Sequence, residues 1–96
     1  MVTKQAIIDR YNAASVTQID SKQLFIAQLQ NNVTVLISYY TIVGFYSPAA
    51  DVWYVTDRKY SHTTSCQLAA FAYNNRVHRL TENDFNSQLQ LLGVTK

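Results

Sequence analysis

The feature that most constrains the fold is a long stretch of residues with high β propensity, from residue 23 to residue 56. β-Branched and aromatic side chains dominate this stretch, and such residues pack well on the pleated surface of a sheet. Asn31–Asn32 separates two apolar runs, 24–30 and 33–39, and asparagine tolerates the left-handed conformation that tight hairpins require. The stretch therefore predicts a sheet that contains a hairpin across Asn31–Asn32.

The second apolar run continues to Tyr46 without a turn residue. It is either two strands joined at Tyr39–Tyr40 or one long strand bent near Gly44, and we favour the bent strand because glycine often marks a bend. Residues 47–51, Ser-Pro-Ala-Ala-Asp, have the chemistry of a turn, and residues 52–56 return as another strand. The pattern predicts an antiparallel sheet of three to four strands.

Helical patterns flank the sheet. Thr3 is placed to cap a first helix over about residues 3–13, whereas residues 15–21 form too short a pattern to distinguish a loop from a brief strand. A second helix begins within residues 61–65, where Thr64 and Gln67 have the spacing of a capping box, and it ends at Asn74–Asn75.

Residues 76–80 predict a short edge strand or an extended connector, and Thr81 caps a third helix that stops at Gly93. Ninety-six residues are enough for one domain only, which we expect to span residues 1–96. The sequence thus predicts an α+β fold, in which an N-terminal helix and two C-terminal helices pack on one face of the antiparallel sheet.

The charge is nearly balanced, with eight Lys and Arg against six Asp and Glu and a formal net charge of +2. Four of the cations are close in sequence: Arg58, Lys59, Arg76 and Arg79. A cluster of basic residues is typical of nucleic-acid-binding modules. These four with Tyr60 therefore support one alternative function, a regulatory module that binds nucleic acid.

The single cysteine, Cys66, excludes an internal disulfide and a cysteine-based metal cage, so we expect a reducing cytoplasm. Charges at Lys4, Asp9 and Arg10 interrupt any signal-peptide core, and no apolar run reaches the ~20 residues of a membrane span. These patterns predict a protein of the cytoplasm that has no membrane partner.

Groups that could carry catalysis are few. Cys66 with His62 or His78 is the candidate nucleophile and base, but Cys66 falls on a stripe of small residues that is predicted to pack as apolar surface. The two histidines and the cysteine lack a metal-ligand spacing, and two isolated glycines cannot form a phosphate-binding loop. We expect no enzyme activity, no metal and no cofactor.

Two features indicate binding. In residues 58–65, cations and hydroxyls precede a helix N-terminus, which suits either an anion site or a simple cap with solvated cations. The candidate residues there are Arg58, Lys59, Tyr60, Ser61, His62, Thr63 and Thr64, with Arg76 and Arg79 as further cations.

The second feature is a group of aromatic residues, above all Tyr39, Tyr40 and Tyr54. On alternating strands some of them must point away from the core, and exposed Tyr and Trp anchor protein interfaces. Because the helices are expected on one face of the sheet, the other face or an edge strand could form a two-fold homodimer.

Three motifs stand at fixed positions: S-Y-x-T-x-V at Ser38–Val43, Y-x-T at Tyr54–Thr56 and K-Y-S-x-T-T-S at Lys59–Ser65. Together they resemble a small domain of unknown function found in bacteriophage and phage-derived proteins, over about residues 24–74. The resemblance implies a phage origin and no activity. With the small size and the aromatic-rich sheet, it leads us to expect a small non-enzymatic phage-type protein that binds and modulates a host protein in the host cytoplasm.

Overall fold

A computed structural model of the chain describes residues 2–20, 23–58 and 62–94. Over these residues the fold is α+β, with three helices and one six-stranded mixed sheet. The elements in chain order are α1 (Lys4–Tyr11), β1 (Ala13–Asp20), β2 (Leu24–Leu29), β3 (Thr34–Ser38), β4 (Thr41–Ser47), β5 (Val52–Thr56), α2 (His62–Asn74), β6 (Val77–Leu80) and α3 (Glu82–Leu91). None of the described helices is long and apolar enough to span a membrane.

The strand order in the sheet equals the order in the chain, β1 to β6. The first five strands form an antiparallel meander, and β6 joins β5 in parallel after the crossover through α2. The prediction of three to four antiparallel strands was therefore too low and lacked the parallel pair. The count omitted β1 and β6, whose segments the sequence left open as a loop or brief strand and as an edge strand or extended connector.

The hairpin across Asn31–Asn32 is confirmed, and Asn32 has a positive φ of 66°. The long bent strand is wrong, because β3 and β4 are separate strands joined by a turn at Tyr39–Tyr40. Tyr39 adopts a left-handed conformation with φ 57°, and its N–H donates to the Gln23 carbonyl at 2.9 Å. That tertiary hydrogen bond helps to hold a conformation that tyrosine rarely adopts.

Gly44 lies within β4, next to the point where the register with β3 shifts, and its lack of a side chain allows β4 and β5 to approach closely. A Cβ atom at this position would lie 3.0 Å from Val55 Cγ1 and 3.1 Å from the carbonyl oxygen of Tyr54. The close approach explains why glycine occurs inside a strand here.

Apolar residues cover both faces of the sheet, because neighbouring residues of a strand point to opposite sides. In β3, Val35 and Ile37 belong to one buried cluster and Leu36 belongs to another. The first core contains Ile7 from α1 with Phe85 and Leu89 from α3, and its other buried members are Val2, Ala13, Phe25, Ala27, Leu29, Val35, Ile37, Ile42, Phe45 and Val94. The second core contains Leu68 and Phe71 from α2, together with Leu24, Leu36, Val43 and Val55.

The three helices therefore lie on both faces of the sheet, and the prediction that they pack on one face was wrong. α1 and α3 cover the first core, and α2 covers the second. The reason is that the central strands are apolar on both sides, so each side needs a helix to exclude water.

Local capping signals were right for two helices. Thr3 accepts from the Ala6 N–H at 3.1 Å, and Thr81 accepts from the Asp84 N–H at 3.3 Å. Gly93 follows α3 with φ 78°, as expected of a residue after a helix end.

The capping box predicted at Thr64 and Gln67 is wrong, because α2 already begins at His62. Both side chains are buried and form a polar cluster with Ser38 at the end of β3. The Ser38 hydroxyl donates to Gln67 Oε1 at 2.6 Å, so the Thr64 hydroxyl, 3.0 Å away, donates to Ser38. This buried polar cluster connects α2 to β3 by hydrogen bonds within an otherwise apolar layer.

Replacing Thr64 with valine keeps the shape of the side chain but removes its hydroxyl from Ser38. We expect Thr64→Val to lower the free energy of unfolding by about 1–3 kcal/mol, as for a buried polar group that loses its partner. The control Thr63→Val alters a half-buried neighbour and should change stability by less than about 0.5 kcal/mol. Urea denaturation of the two variants measures the difference, and equal stability of both would contradict a role for the cluster.

Candidate functional site

The predicted site residues are distributed over separate parts of the molecule. Tyr39 and Tyr40 form the exposed turn between β3 and β4. The Arg10 guanidinium lies 5.4 Å from the centre of the Tyr40 ring, and the Tyr11 hydroxyl donates to the Tyr40 carbonyl. These contacts connect the turn to α1, so the two tyrosines are partly held by the fold.

Three of the four predicted basic residues, Arg58, Arg76 and Arg79, lie within the described residues. Arg58 Nη1 lies 2.8 Å from Glu82 Oε1 in an exposed ion pair. Arg76 and Arg79 are exposed at the β6 edge of the sheet. Lys59 lies outside the described residues, as do Tyr60 and Ser61, which were the centre of the predicted anion site.

The described part of that segment contains His62, Thr63 and Thr64. The Thr64 hydroxyl is turned into the protein, towards Ser38. His62 is exposed, and its Nε2 lies 3.5 Å from Cys66 Sγ.

Cys66 is exposed, so the prediction that it packs as an apolar side chain was wrong. The buried positions of α2 are Thr64, Gln67, Leu68 and Phe71, and this spacing turns Cys66 towards solvent. Among the described residues no group of three or more His, Cys, Asp and Glu side chains is arranged to hold a metal ion.

A cleft of about 520 Å³ lies between α3 and the hairpin of β4 and β5. We call it the aromatic cleft. Its lining residues are Phe45, Tyr46, Ser47, Pro48, Tyr54, Leu80, Asp84, Ser87, Gln88 and Leu92. The volume lies within the range of about 300–1,000 Å³ that is usual for ligand pockets.

Aromatic rings that contact one another form the sheet side of the aromatic cleft. The Phe45 ring centre lies 5.4 Å from that of Tyr54 and 5.6 Å from that of Phe85. Tyr54 also stacks on His78 of the edge strand, with ring centres 6.0 Å apart and planes within 7°. Because Tyr54 has ring neighbours on both adjacent strands, its position is well determined.

The helix side of the aromatic cleft is polar. α3 buries Phe85 and Leu89, and this orientation places Asp84, Ser87 and Gln88 along the cleft. The Asp84 carboxylate forms no ion pair or side-chain hydrogen bond with the described residues, whereas Glu82 on the same helix is paired with Arg58. The cleft therefore combines aromatic walls with one carboxylate that is available to a ligand.

Tyr46 stands at the hairpin end of the aromatic cleft. Its hydroxyl donates to Asp51 Oδ1 across the turn, and its ring centre lies 5.3 Å from that of Trp53. The hydrogen bond to Asp51 raises the pKa of Tyr46, and partial burial and the negative charge of Asp51 raise it further. The phenol therefore stays protonated and remains a donor above the pH at which an ordinary tyrosine ionises.

Of the predicted site residues that the structure describes, Tyr54 alone lines the aromatic cleft. Sequence reasoning missed Tyr46, Asp84 and Gln88 as site residues. Asp84 lies in the first turn of α3, where an acidic residue is expected for its effect on the helix alone. The available signal was the polar side of the third helix, but it indicates a cleft only once the helix is known to pack beside the β4–β5 hairpin.

The chain was compared with protein families, with curated proteins and with solved structures. The model of a family described as a family of unknown function, DUF8033, matches residues 8–87. Neither the curated proteins nor the solved structures give a significant match.

The hydrogen bond between Tyr46 and Asp51 can be tested by titration of tyrosine absorbance. We expect Asp51→Asn to lower the pKa of Tyr46 towards the ordinary value of about 10, because the amide has no charge and accepts more weakly. Asparagine tolerates the left-handed backbone at this position, where φ is 52°, so the turn should persist. Tyr46→Phe should remove one late-ionising group from the same curve.

Because the pKa of Tyr46 is raised in the folded state, its hydrogen bond to Asp51 stabilises the fold up to alkaline pH. The contribution of this hydrogen bond is complete below pH 10 and is lost as the pH rises through the folded-state pKa of Tyr46. An alkaline titration curve that is identical for the wild type and Asp51→Asn would contradict the interaction.

Proposed function

Because the chain belongs to the family of unknown function DUF8033, whose description names no activity, we propose a function from the surface itself: a small non-enzymatic phage-type protein that binds and modulates a host protein. The aromatic cleft is the binding surface in this proposal. The bound part of the host protein is a segment that inserts an apolar side chain between the rings and brings a Lys or Arg side chain to Asp84. We place this interaction in the host cytoplasm.

The composition of the aromatic cleft supports a protein ligand. Tyr residues are enriched at the energetic centre of protein interfaces, where a wall of rings surrounds an inserted side chain. Tyr54 and Phe45 are held by ring contacts on both sides, so little side-chain entropy is lost when a partner binds. The observation that carries the proposal is the aromatic cleft itself, a concave surface with rigid rings and a few polar groups.

The charge of the aromatic cleft supports a cationic group on the partner. Asp84 provides a carboxylate without a protein partner among the described residues, and the ring faces nearby attract cations through their quadrupoles. An Arg or Lys side chain can contact both the carboxylate and the rings, because its aliphatic part packs on the rings while its charged end reaches the carboxylate.

The non-enzymatic part of the proposal is supported by where the reactive groups lie. The thiol of Cys66 and the imidazole of His62 contact each other on the exposed surface of α2. α2 covers the second core, whereas the aromatic cleft lies beside α3 on the first core. The pair thus has no part in forming the cleft.

The alternative of a nucleic-acid-binding module is favoured by the exposed Arg76 and Arg79 at the β6 edge. Against it, Arg58 is engaged by Glu82, and the carboxylate of Asp84 lies on the same helix as Glu82. Contacts to phosphates would make the affinity fall steeply with salt. A complex that forms only with nucleic acid, with such a salt dependence, would favour this alternative over the protein partner.

The proposed function is tested by comparing two matched variants of α3 as immobilised bait in a bacterial lysate treated with nuclease. Gln88→Arg places a cation in the aromatic cleft, and Gln90→Arg makes the same change on the same helix outside the cleft. We expect one protein to be retained by the wild type and by Gln90→Arg. Its affinity for Gln88→Arg should fall at least about tenfold, or ~1.4 kcal/mol.

A second pair of variants tests the charge. Asp84→Asn should weaken binding of the captured protein about tenfold, whereas Asp57→Asn removes an exposed carboxylate outside the cleft and should leave binding unchanged. Titration calorimetry of the purified pair measures both. Recovery of no protein above background, or equal recovery with Gln88→Arg and Gln90→Arg, would refute the proposed function.

A further inference from the structure

The two edge strands of the sheet, β1 and β6, are built differently. β6 has four residues, contains His78 and Arg79 and follows Arg76. Short length and charged side chains are the means by which proteins prevent an edge strand from pairing with another chain. The β6 edge is therefore protected.

β1 lacks that protection. It has eight residues, and its segment 13–19 has neither a charged residue nor a proline. In the part of the chain that the structure describes, β1 pairs with β2 on one side only, so over residues 13–17 no described strand pairs with its outer side. Such an edge is complementary to another β-strand.

Two irregularities define the part of β1 that can pair. The register with β2 shifts between Ala13 and Ser15 and again between Gln18 and Asp20. Bulges of this kind bend a strand and end regular pairing. The segment between them, 15–18, is regular and has the β-branched Val16 and Thr17 at its centre.

We propose that this edge binds the same edge of a second copy of the chain. The two β1 strands run antiparallel about a two-fold axis that is perpendicular to the sheet and passes through Val16 or Thr17. The six strands of each copy then form one continuous sheet of twelve strands. Each copy uses the same patch, as in the isologous interfaces of most homodimers.

The chemistry of β1 fits a second copy. A two-fold axis places similar residues opposite each other, which is unfavourable for a charged strand because like charges meet. The segment 15–18 is neutral, so no such repulsion arises. Val16 packs against the first core, and Thr17 is exposed. With the axis through Val16, the two Val16 side chains would extend the apolar layer from one copy to the next.

The apolar surface next to this edge supports the same conclusion. A groove of about 360 Å³ on the α2 side of the sheet is lined by Ile19, Leu24, Ile26 and Phe71, and it reaches β1 at Ile19. Ile19 is 38% exposed. A strand added to β1 lies along the rim of this groove, so dimerisation shields apolar area as well as backbone groups.

The test is the molecular mass of the purified chain by sedimentation equilibrium from micromolar to millimolar concentration. We expect twice the mass of one chain at the upper end. Thr17→Lys places two ammonium groups near the axis and should raise the dissociation constant at least tenfold. The control Asn83→Lys adds the same charge on the exposed side of α3 and should leave the dissociation constant unchanged.

Hydrogen exchange locates the interface independently of the variants. Amides within 15–18 should exchange more slowly as the concentration rises, whereas amides of β6 should not change. A chain that stays monomeric at millimolar concentration would overturn the proposal. A strand of another protein would then be the remaining candidate to pair with β1. A dimer that Thr17→Lys and Asn83→Lys affect equally, or that protects β6 rather than β1, would also overturn it.

Discussion

The central strands of the sheet are apolar on both faces, and this constraint determines the rest of the architecture. Val35, Leu36 and Ile37 are consecutive and fully buried, which is possible only when helices cover both sides of β3. The chain meets this demand by placing α1 and α3 on one side and the crossover helix α2 on the other. The parallel strand β6 follows from the same demand, because a helix between two neighbouring strands lies across one face of the sheet.

The layer under α2 contains a cluster of buried hydroxyl and amide groups that bond to one another. Ser38, Thr64 and Gln67 satisfy one another there at a depth where each alone would be strongly unfavourable. Hydrogen bonds have direction, and apolar contacts do not, so this cluster specifies the position of α2 along the sheet more precisely than Leu68 and Phe71 do. In the first core, the rings of Phe45 and Phe85 contact each other across the interface between the sheet and α3.

The sequence was sufficient for several features that depend on neighbouring residues. The hairpin at Asn31–Asn32 and the caps at Thr3 and Thr81 depend on local backbone chemistry, and all were predicted. The left-handed backbone of Tyr39 depends instead on a distant residue, because its N–H donates to the carbonyl of Gln23. A tyrosine in the sequence does not by itself indicate such a turn. The burial of Thr64 and the exposure of Cys66 depend on where α2 begins and which face of it meets the sheet, so the local capping signal misled.

The aromatic cleft depends on the packing of α3 beside the β4–β5 hairpin. These elements are far apart in sequence, and of the lining residues only Tyr54 was predicted.

The strand order also has a consequence for how the chain reaches this structure. Each of the first four pairings joins strands that are adjacent in sequence, so little loop entropy is lost when any of them forms. The pairing of β5 with β6 encloses the whole of α2 and must wait until that helix lies on the sheet. A meander that grows strand by strand, followed by late closure of the crossover, is therefore the kinetic order that the topology favours. The aromatic cleft, with walls from β4, β5 and α3, is completed only at that last step.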